Sequence, residues 1–237
     1  MLKTEDNWIN RIHCGDILTI LRQMPDEFVD LVITSPPFNI GIHVTCGKRH
    51  YPYDDNMPEP SYQEWQTKVL TELSRVTKVD GSLFYQHKNR IRQGRLITPY
   101  EWLLNPKIGW VIKQEIVWRN GGPNMDKRRF FPQTERIYWL TKKKETVLIN
   151  SLNITDLWLY QPVGTGKGHT RQFPEELVDN IISCFPDAKV ILDPFMGSGT
   201  TALVALKNHR DFVGIEINPA YVDMSRKRIQ TIQSKLI

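Results

Sequence analysis

Cysteine is scarce in this chain: three residues in 237, Cys14, Cys46 and Cys184. Their spacing forms no pairs, which excludes a disulfide framework and points to a reduced setting. No run of about 18 apolar residues occurs, so no segment reads as a membrane-spanning helix. The opening Met1-Leu2-Lys3-Thr4-Glu5-Asp6-Asn7 lacks the apolar stretch of a secretory signal. A cytoplasmic protein with no membrane partner is the expectation. Repeats and low-complexity segments are missing too. What remains is ordinary globular composition, 40% hydrophobic and 24% charged, enough for one sizeable core. The net charge of +5 tilts the chain toward a polyanionic partner.

The most informative stretch is Val190 to Thr201. Val190, Ile191 and Leu192 read as a strand buried on both faces of a parallel sheet. Asp193 places a carboxylate at its C-terminal end. Gly197 and Gly199 permit a tight turn and a close approach to a ligand, and Thr200 or Thr201 caps a helix carrying Leu203, Val204 and Leu206. No lysine follows the second glycine, which excludes a phosphate loop.

A second buried strand, Val29–Thr34, runs into Ser35-Pro36-Pro37-Phe38-Asn39. The two prolines remove backbone donors. Carbonyl oxygens, a hydroxyl and an aromatic face remain, a set suited to a planar group bearing an amino. Other strands are expected at 11–14, 82–86, 114–118, 136–140 and 211–217. Helices are expected after Asp16 (Ile17, Leu18, Leu21, Met24), after a Ser61/Glu64 capping box, from Pro99, from Pro174 and from Asn218-Pro219. Strands alternating with amphipathic helices imply a three-layer α/β fold with a mainly parallel sheet.

Asp193-Pro194-Phe195-Met196-Gly197-Ser198-Gly199-Thr200, together with Thr34-Ser35-Pro36-Pro37-Phe38, resembles the motif pair of DNA amino-methyltransferases. The Pro-Pro motif precedes the glycine motif, as in their circularly permuted β group, and the resemblance covers nearly the whole chain. It implies a single catalytic domain over residues 1–237 with the Rossmann-like class I fold, dependent on S-adenosylmethionine and using no metal. By this resemblance Asp193, Pro194, Phe195, Gly197, Gly199 and Thr200 meet the methionine end of the cofactor. Glu216 takes the ribose, Asp16 the adenine amino group, and His169 lies in the covering segment 166–177. Ser35, Pro36, Pro37 and Phe38 hold a flipped base whose exocyclic nitrogen attacks the sulfonium methyl. Serine at the first motif position is more typical of cytosine-N4 enzymes and aspartate of adenine-N6 enzymes, so the resemblance implies cytosine N4, with adenine N6 as the alternative. None of the cysteines follows a proline, which argues against ring-carbon methylation.

Double-stranded DNA is the expected partner, through Lys88, Arg90, Arg92, Lys127, Arg128 and Arg129. Small target-recognition elements are expected within 42–60, 87–110 and 142–166. His43, Cys46 and His50 lack a fourth ligand and fit no standard zinc pattern. A restriction-modification setting is expected, while a companion endonuclease and a homodimer are left open by the sequence. So are an RNA or small-molecule methyltransferase on the same fold, and a DNA-binding module that has lost catalysis.

Overall fold

The computed structural model describes residues 7–41, 55–120, 130–149, 154–160 and 173–236, with side chains through 232. Ten strands are present among them: β1 (Arg11–Cys14), β2 (Val29–Thr34), β3 (Thr77–His87), β4 (Arg90–Arg92), β5 (Arg95–Ile97), β6 (Val111–Arg119), β7 (Thr134–Thr141), β8 (Leu157–Trp158), β9 (Val190–Asp193) and β10 (Asp211–Glu216). The helices are α1 (Ile17–Leu21), α2 (Glu59–Val76), α3 (Tyr100–Leu103), α4 (Glu175–Ser183), α5 (Thr200–Lys207) and α6 (Pro219–Leu236). Eight strands make one sheet in the order β1-β10-β9-β2-β3-β7-β6-β8, and β4 with β5 form a separate hairpin. The run from β1 to β3 is parallel throughout; β7 is antiparallel to both of its neighbours.

Side-chain alternation sorts the strands' apolar residues onto two faces. Val32, Val190, Leu192, Val213 and Ile215 pack with α1, α2 and α3. Leu31, Ile33, Ile191 and Phe212 pack on the other side with α4, α5 and α6. This is the three-layer α/β fold that the sequence predicts.

Four local expectations change. Helix α2 begins at Glu59, after Pro58, and its start carries no side-chain cap. Pro60 is accommodated in that first turn, where its missing N–H has no partner to lose. Ser61 therefore lies inside the helix, and Glu64 pairs with Lys68 at 2.7 Å rather than closing a capping box. The strand expected at 82–86 is longer: Gly81 sits within the eleven-residue β3, which follows α2 directly. A Cβ there would lie 2.7 Å from the Asp30 carbonyl and 2.5 Å from Thr77 Cγ2, so a closely approached bulge selects the glycine. Helix α1 ends at Leu21, and Met24 reaches the core from beyond it. Pro99 precedes α3 rather than opening it.

The topology puts the C-terminal ends of β1, β10, β9, β2, β3 and β6 on one edge. Residues 142–149 leave β7 toward the opposite edge, after Thr141 pairs with Ser82 midway along β3. That part of the expected 142–166 recognition element thus lies away from Ser35.

Candidate active site

The turn after β9 is organised by the Asp193 carboxylate, which is buried. One oxygen accepts from Thr34 Oγ1 and from Phe195 N, each at 3.1 Å. The other accepts from Thr201 Oγ1 at 2.7 Å. Burial pushes the carboxyl up to about 6, against the pull of these hydrogen bonds. Asp193 thus braces the turn, the start of α5 and the end of β2, and its described bonds are all to protein groups. Gly199, at φ 81°, is the N-cap of α5, and neither Thr200 nor Thr201 caps it. A Cβ on Gly199 would stand 2.7 Å from Ser225 Cβ in α6. Left-handed backbone and close helix approach both favour glycine there. Pro194, Gly199 and Thr200 are buried beneath the turn, while Phe195 and Gly197 are partly open.

Glu216, at the end of β10, faces this turn. Its carboxylate accepts from Gly197 N and from Asn218 N, both at 2.8 Å. Burial raises its pKa. Its carbonyl accepts from Gly15 N at 3.0 Å, which sets Asp16 beside it although 200 residues separate them. Asp16 caps α1, with Oδ1 accepting from Thr19 N and Oγ1 at 2.9 Å each. The side chain is exposed, and its second oxygen has no partner among the described residues. Each carboxylate oxygen of Glu216 keeps a further lone pair. Two carboxylates at adjacent strand ends, beside a glycine turn and the half-buried rings of Phe195 and Trp65 (5.7 Å between centroids), suit a ligand with hydroxyl and amino donors.

One strand away, Ser35 Oγ donates to Gln86 Oε1, and Gln86 Nε2 donates to Glu135 Oε2. Neither Gln86 nor Glu135 is singled out by the sequence. Both are buried polar residues at the site end of their strands. The Pro37 carbonyl accepts from Tyr62 Oη at 2.5 Å. That hydroxyl also lies 2.7 Å from Gln66 Nε2, which donates to it, and 2.7 Å from His87 Nε2. The Tyr62 hydroxyl gives its single proton to Pro37, which assigns the His87 ring proton to Nε2; Nδ1 then accepts from Lys88 N at 2.8 Å, with the Lys88 carbonyl also 2.9 Å away. Burial drives the His87 pKa down to about 3, so the ring is neutral. The Tyr62 hydroxyl is thereby saturated, with two bonds accepted and one donated. Among the described residues nothing donates to the Pro36 carbonyl. Phe38 is turned inward, 9% exposed, against the His87 ring at 4.9 Å. The structure thus differs from the expected open stacking face: this ring packs on the imidazole.

The cation run after β3 is not a uniformly solvated face. Arg90 is 4% exposed and donates to both oxygens of Glu59 at 2.8 Å, with its guanidinium over Tyr62. Arg92 donates to the Met57 carbonyl at 3.0 Å and reaches Asn39. Asn39, at φ 54°, is held through its backbone N–H by Asp55 and through its side chain by Met57. These bonds tie the two ends of the 42–54 segment together, so Arg90 serves the scaffold rather than a phosphate. Lys88 Nζ lies 5.4 Å from the Phe38 ring centre. His43, Cys46, His50, Lys127, Arg128, Arg129 and His169 lie outside the described residues. Phe130 and Phe131, at the end of the Lys127–Arg129 segment, are exposed on the edge that carries Ser35.

Known proteins share this fold. A type II methyltransferase, M.ScaI of Streptomyces caespitosus, is 30% identical over 256 residues, covering 92% of this chain and 81% of its own. The PvuII DNA methyltransferase (cytosine-N4-specific) superposes with a TM-score of 0.74 at 22% identity, over 94% of this chain and 91% of that one. TTHA0409 of Thermus thermophilus, a putative DNA modification methylase solved with S-adenosyl-L-methionine, gives 0.69 at 22% identity, over 94% and 93%. These two likenesses are of fold. Residues 29–227 match the N6/N4 methyltransferase family described as DNA methylase, and the chain belongs to that family.

Proposed function

We propose that this chain is an S-adenosylmethionine-dependent DNA methyltransferase that modifies an exocyclic amino group, cytosine N4 in preference to adenine N6. The observation that carries the reading is the join between the two motifs. Ser35-Pro36-Pro37 leaves β2 one strand from the Gly197 turn, and Thr34 and Asp193 bond across the gap. When bound, S-adenosylmethionine supplies a methyl group on a sulfonium sulfur, open to attack by a nucleophile. The residues fit it: Glu216 would accept from the ribose hydroxyls and Asp16 from the adenine amino group, and the Gly197 turn would meet the methionine end.

An exocyclic amino nitrogen is a poor nucleophile because its lone pair is delocalised into the ring. Ser35 Oγ and the Pro36 carbonyl can each accept one of its N–H bonds, which favours a pyramidal nitrogen with its lone pair free. Positioning then supplies much of the rate. After transfer the nitrogen carries a positive charge and releases one proton to water. A duplex hides this nitrogen, so the base must leave the stack, with Phe38 as a surface to meet it once the ring turns outward. The exposed Phe130 and Phe131, with Lys88 and Lys127–Arg129, are proposed to meet DNA, and base readout to use 42–60 and 87–110. Serine at position 35 supports cytosine N4, as does the likeness to the PvuII enzyme. The type II relative supports a restriction-modification role alongside an endonuclease. Incubating the protein with unmethylated plasmid and S-adenosylmethionine, then identifying methylated nucleosides by mass spectrometry, tests the reading. N4-methylcytosine is expected; N6-methyladenine alone would move the assignment to adenine, and no methylated base would end it.

A further inference from the structure

Ser35 ends a chain of three polar side chains drawn from three strands or strand ends: Ser35 after β2, Gln86 on β3 and Glu135 on β7. Its polarity is fixed from the inner end. A carboxylate has no proton to give, so Glu135 can only accept, and it takes the Nε2 proton of Gln86. Gln86 must then show its carbonyl oxygen to Ser35, and the Ser35 hydroxyl gives its single proton to that oxygen. What Ser35 can still offer a substrate is lone pairs alone. Without Glu135 the Gln86 amide has no reason to prefer this orientation. Flipped, it would donate to Ser35, whose own proton would then face an incoming amino group, donor against donor.

We infer that Glu135 and Gln86 are positioning residues that hold the Ser35 hydroxyl as an obligate acceptor for the target amino group. The inference rests on the amino-methylation reading and deepens it. Gln86 and Glu135 are buried, at 2% and 7% exposure, and Ser35 is half-buried at the open end of the chain, so water does not readily reset the polarity behind it. An amide between the hydroxyl and the carboxylate does not pass a proton along the chain. The pair therefore orients Ser35 and does not act as a base.

The test uses the full chain, unmethylated plasmid and radiolabelled S-adenosylmethionine. Glu135→Gln keeps the shape of the side chain but offers both donor and acceptor. It should lower kcat about tenfold or more, leaving KM for DNA and calorimetric affinity for S-adenosylmethionine near wild type. Combining Gln86→Glu with Glu135→Gln puts a carboxylate, an acceptor only, against Ser35 and an amide behind it. This exchange should restore kcat to within about threefold of wild type. A role in packing alone predicts no such rescue. Wild-type kcat in Glu135→Gln overturns the inference, as does an exchanged pair no faster than the single variant while both bind cofactor normally. Should the single variant fail to fold, the exchanged pair decides: near-wild-type kcat supports the inference, and lost kcat with intact cofactor binding overturns it. A wild-type protein that moves no methyl group to DNA would instead defeat the proposed function.

Discussion

Thr34 Oγ1 donates to Asp193 Oδ1 at 3.1 Å, joining residues 159 positions apart at the ends of neighbouring parallel strands. The residue after Thr34 is Ser35, and the residue two after Asp193 opens the glycine turn. The bond therefore fixes the spacing between where an amino group would be held and where a methyl donor would sit. Thr34→Val keeps the shape and removes the donor. A stability loss of about 1 kcal/mol is expected by chemical denaturation. Because distance to the donor is a transition-state matter, kcat should fall more than cofactor affinity does. Equal loss of both, or of neither, would show that the bond does not set this spacing.

Asp193 titrates far from the ordinary carboxylate range. Its folded pKa is about 6, above an ordinary 3.8, so the folded state holds the proton more tightly than the unfolded chain. Its contribution to stability is full below pH 3.8, is lost as pH rises toward 6, and is flat above. Wild type and Asp193→Asn, unfolded in urea at several pH values, should differ by a quantity that changes by roughly 3 kcal/mol across that window. A difference independent of pH would mean that burial does not control this carboxyl.

His87 moves the other way. Its pKa of about 3 is below the free value of 6.5, so protons favour the unfolded chain. Stability from this site is present above pH 6.5 and is lost as pH falls toward 3. NMR of the imidazole should show no titration between pH 5 and 8, with the proton on Nε2. A midpoint near 6.5 would break the hydrogen-bond reading of Tyr62.

Arg90 and the cations of 127–129 should separate cleanly. Arg90→Met removes the buried half of a partly buried pair and should destabilise by about 2–4 kcal/mol, without altering the salt slope of DNA binding. Lys127→Ala, Arg128→Ala and Arg129→Ala should each lower that slope by about 1 and leave the melting temperature alone. The reverse pattern would exchange scaffold and interface.

Ser35→Ala should bind S-adenosylmethionine like wild type and turn over roughly ten- to a hundredfold more slowly. Normal turnover on plasmid DNA would remove Ser35 from the proposed chemistry.

The fold was legible because its central strands are short and mostly apolar on both faces, so Val29–Thr34 and Val190–Asp193 stand out from any helix period. The glycine turn was legible because backbone conformation selects residue type. What the sequence hid was pairing across distance. Nothing local in Arg90 says that Glu59 neutralises it, and nothing in Gln86 says that Ser35 lies one strand away. The caps expected at Ser61 and Thr200 failed for a related reason. Hydroxyl residues are good caps in general, yet Pro58-Glu59-Pro60 and a left-handed Gly199 already began those helices.

The pairing of β1 with β10 has a consequence for biosynthesis. Asn10 N donates to the Phe212 carbonyl at 2.7 Å, Asn10 Nδ2 to Asp211 at 2.6 Å, and Gly15 N to the Glu216 carbonyl. Asp16 thus waits for a strand made about 200 residues later. At roughly 5–20 residues per second, that delay is on the order of 10 s or more. A nascent chain lacking β10 has neither Glu216 nor the strand against which Asp16 is set. Methyl-donor capture should therefore switch on as a late step of synthesis, and ribosome-stalled chains ending before residue 211 should not retain the nucleoside.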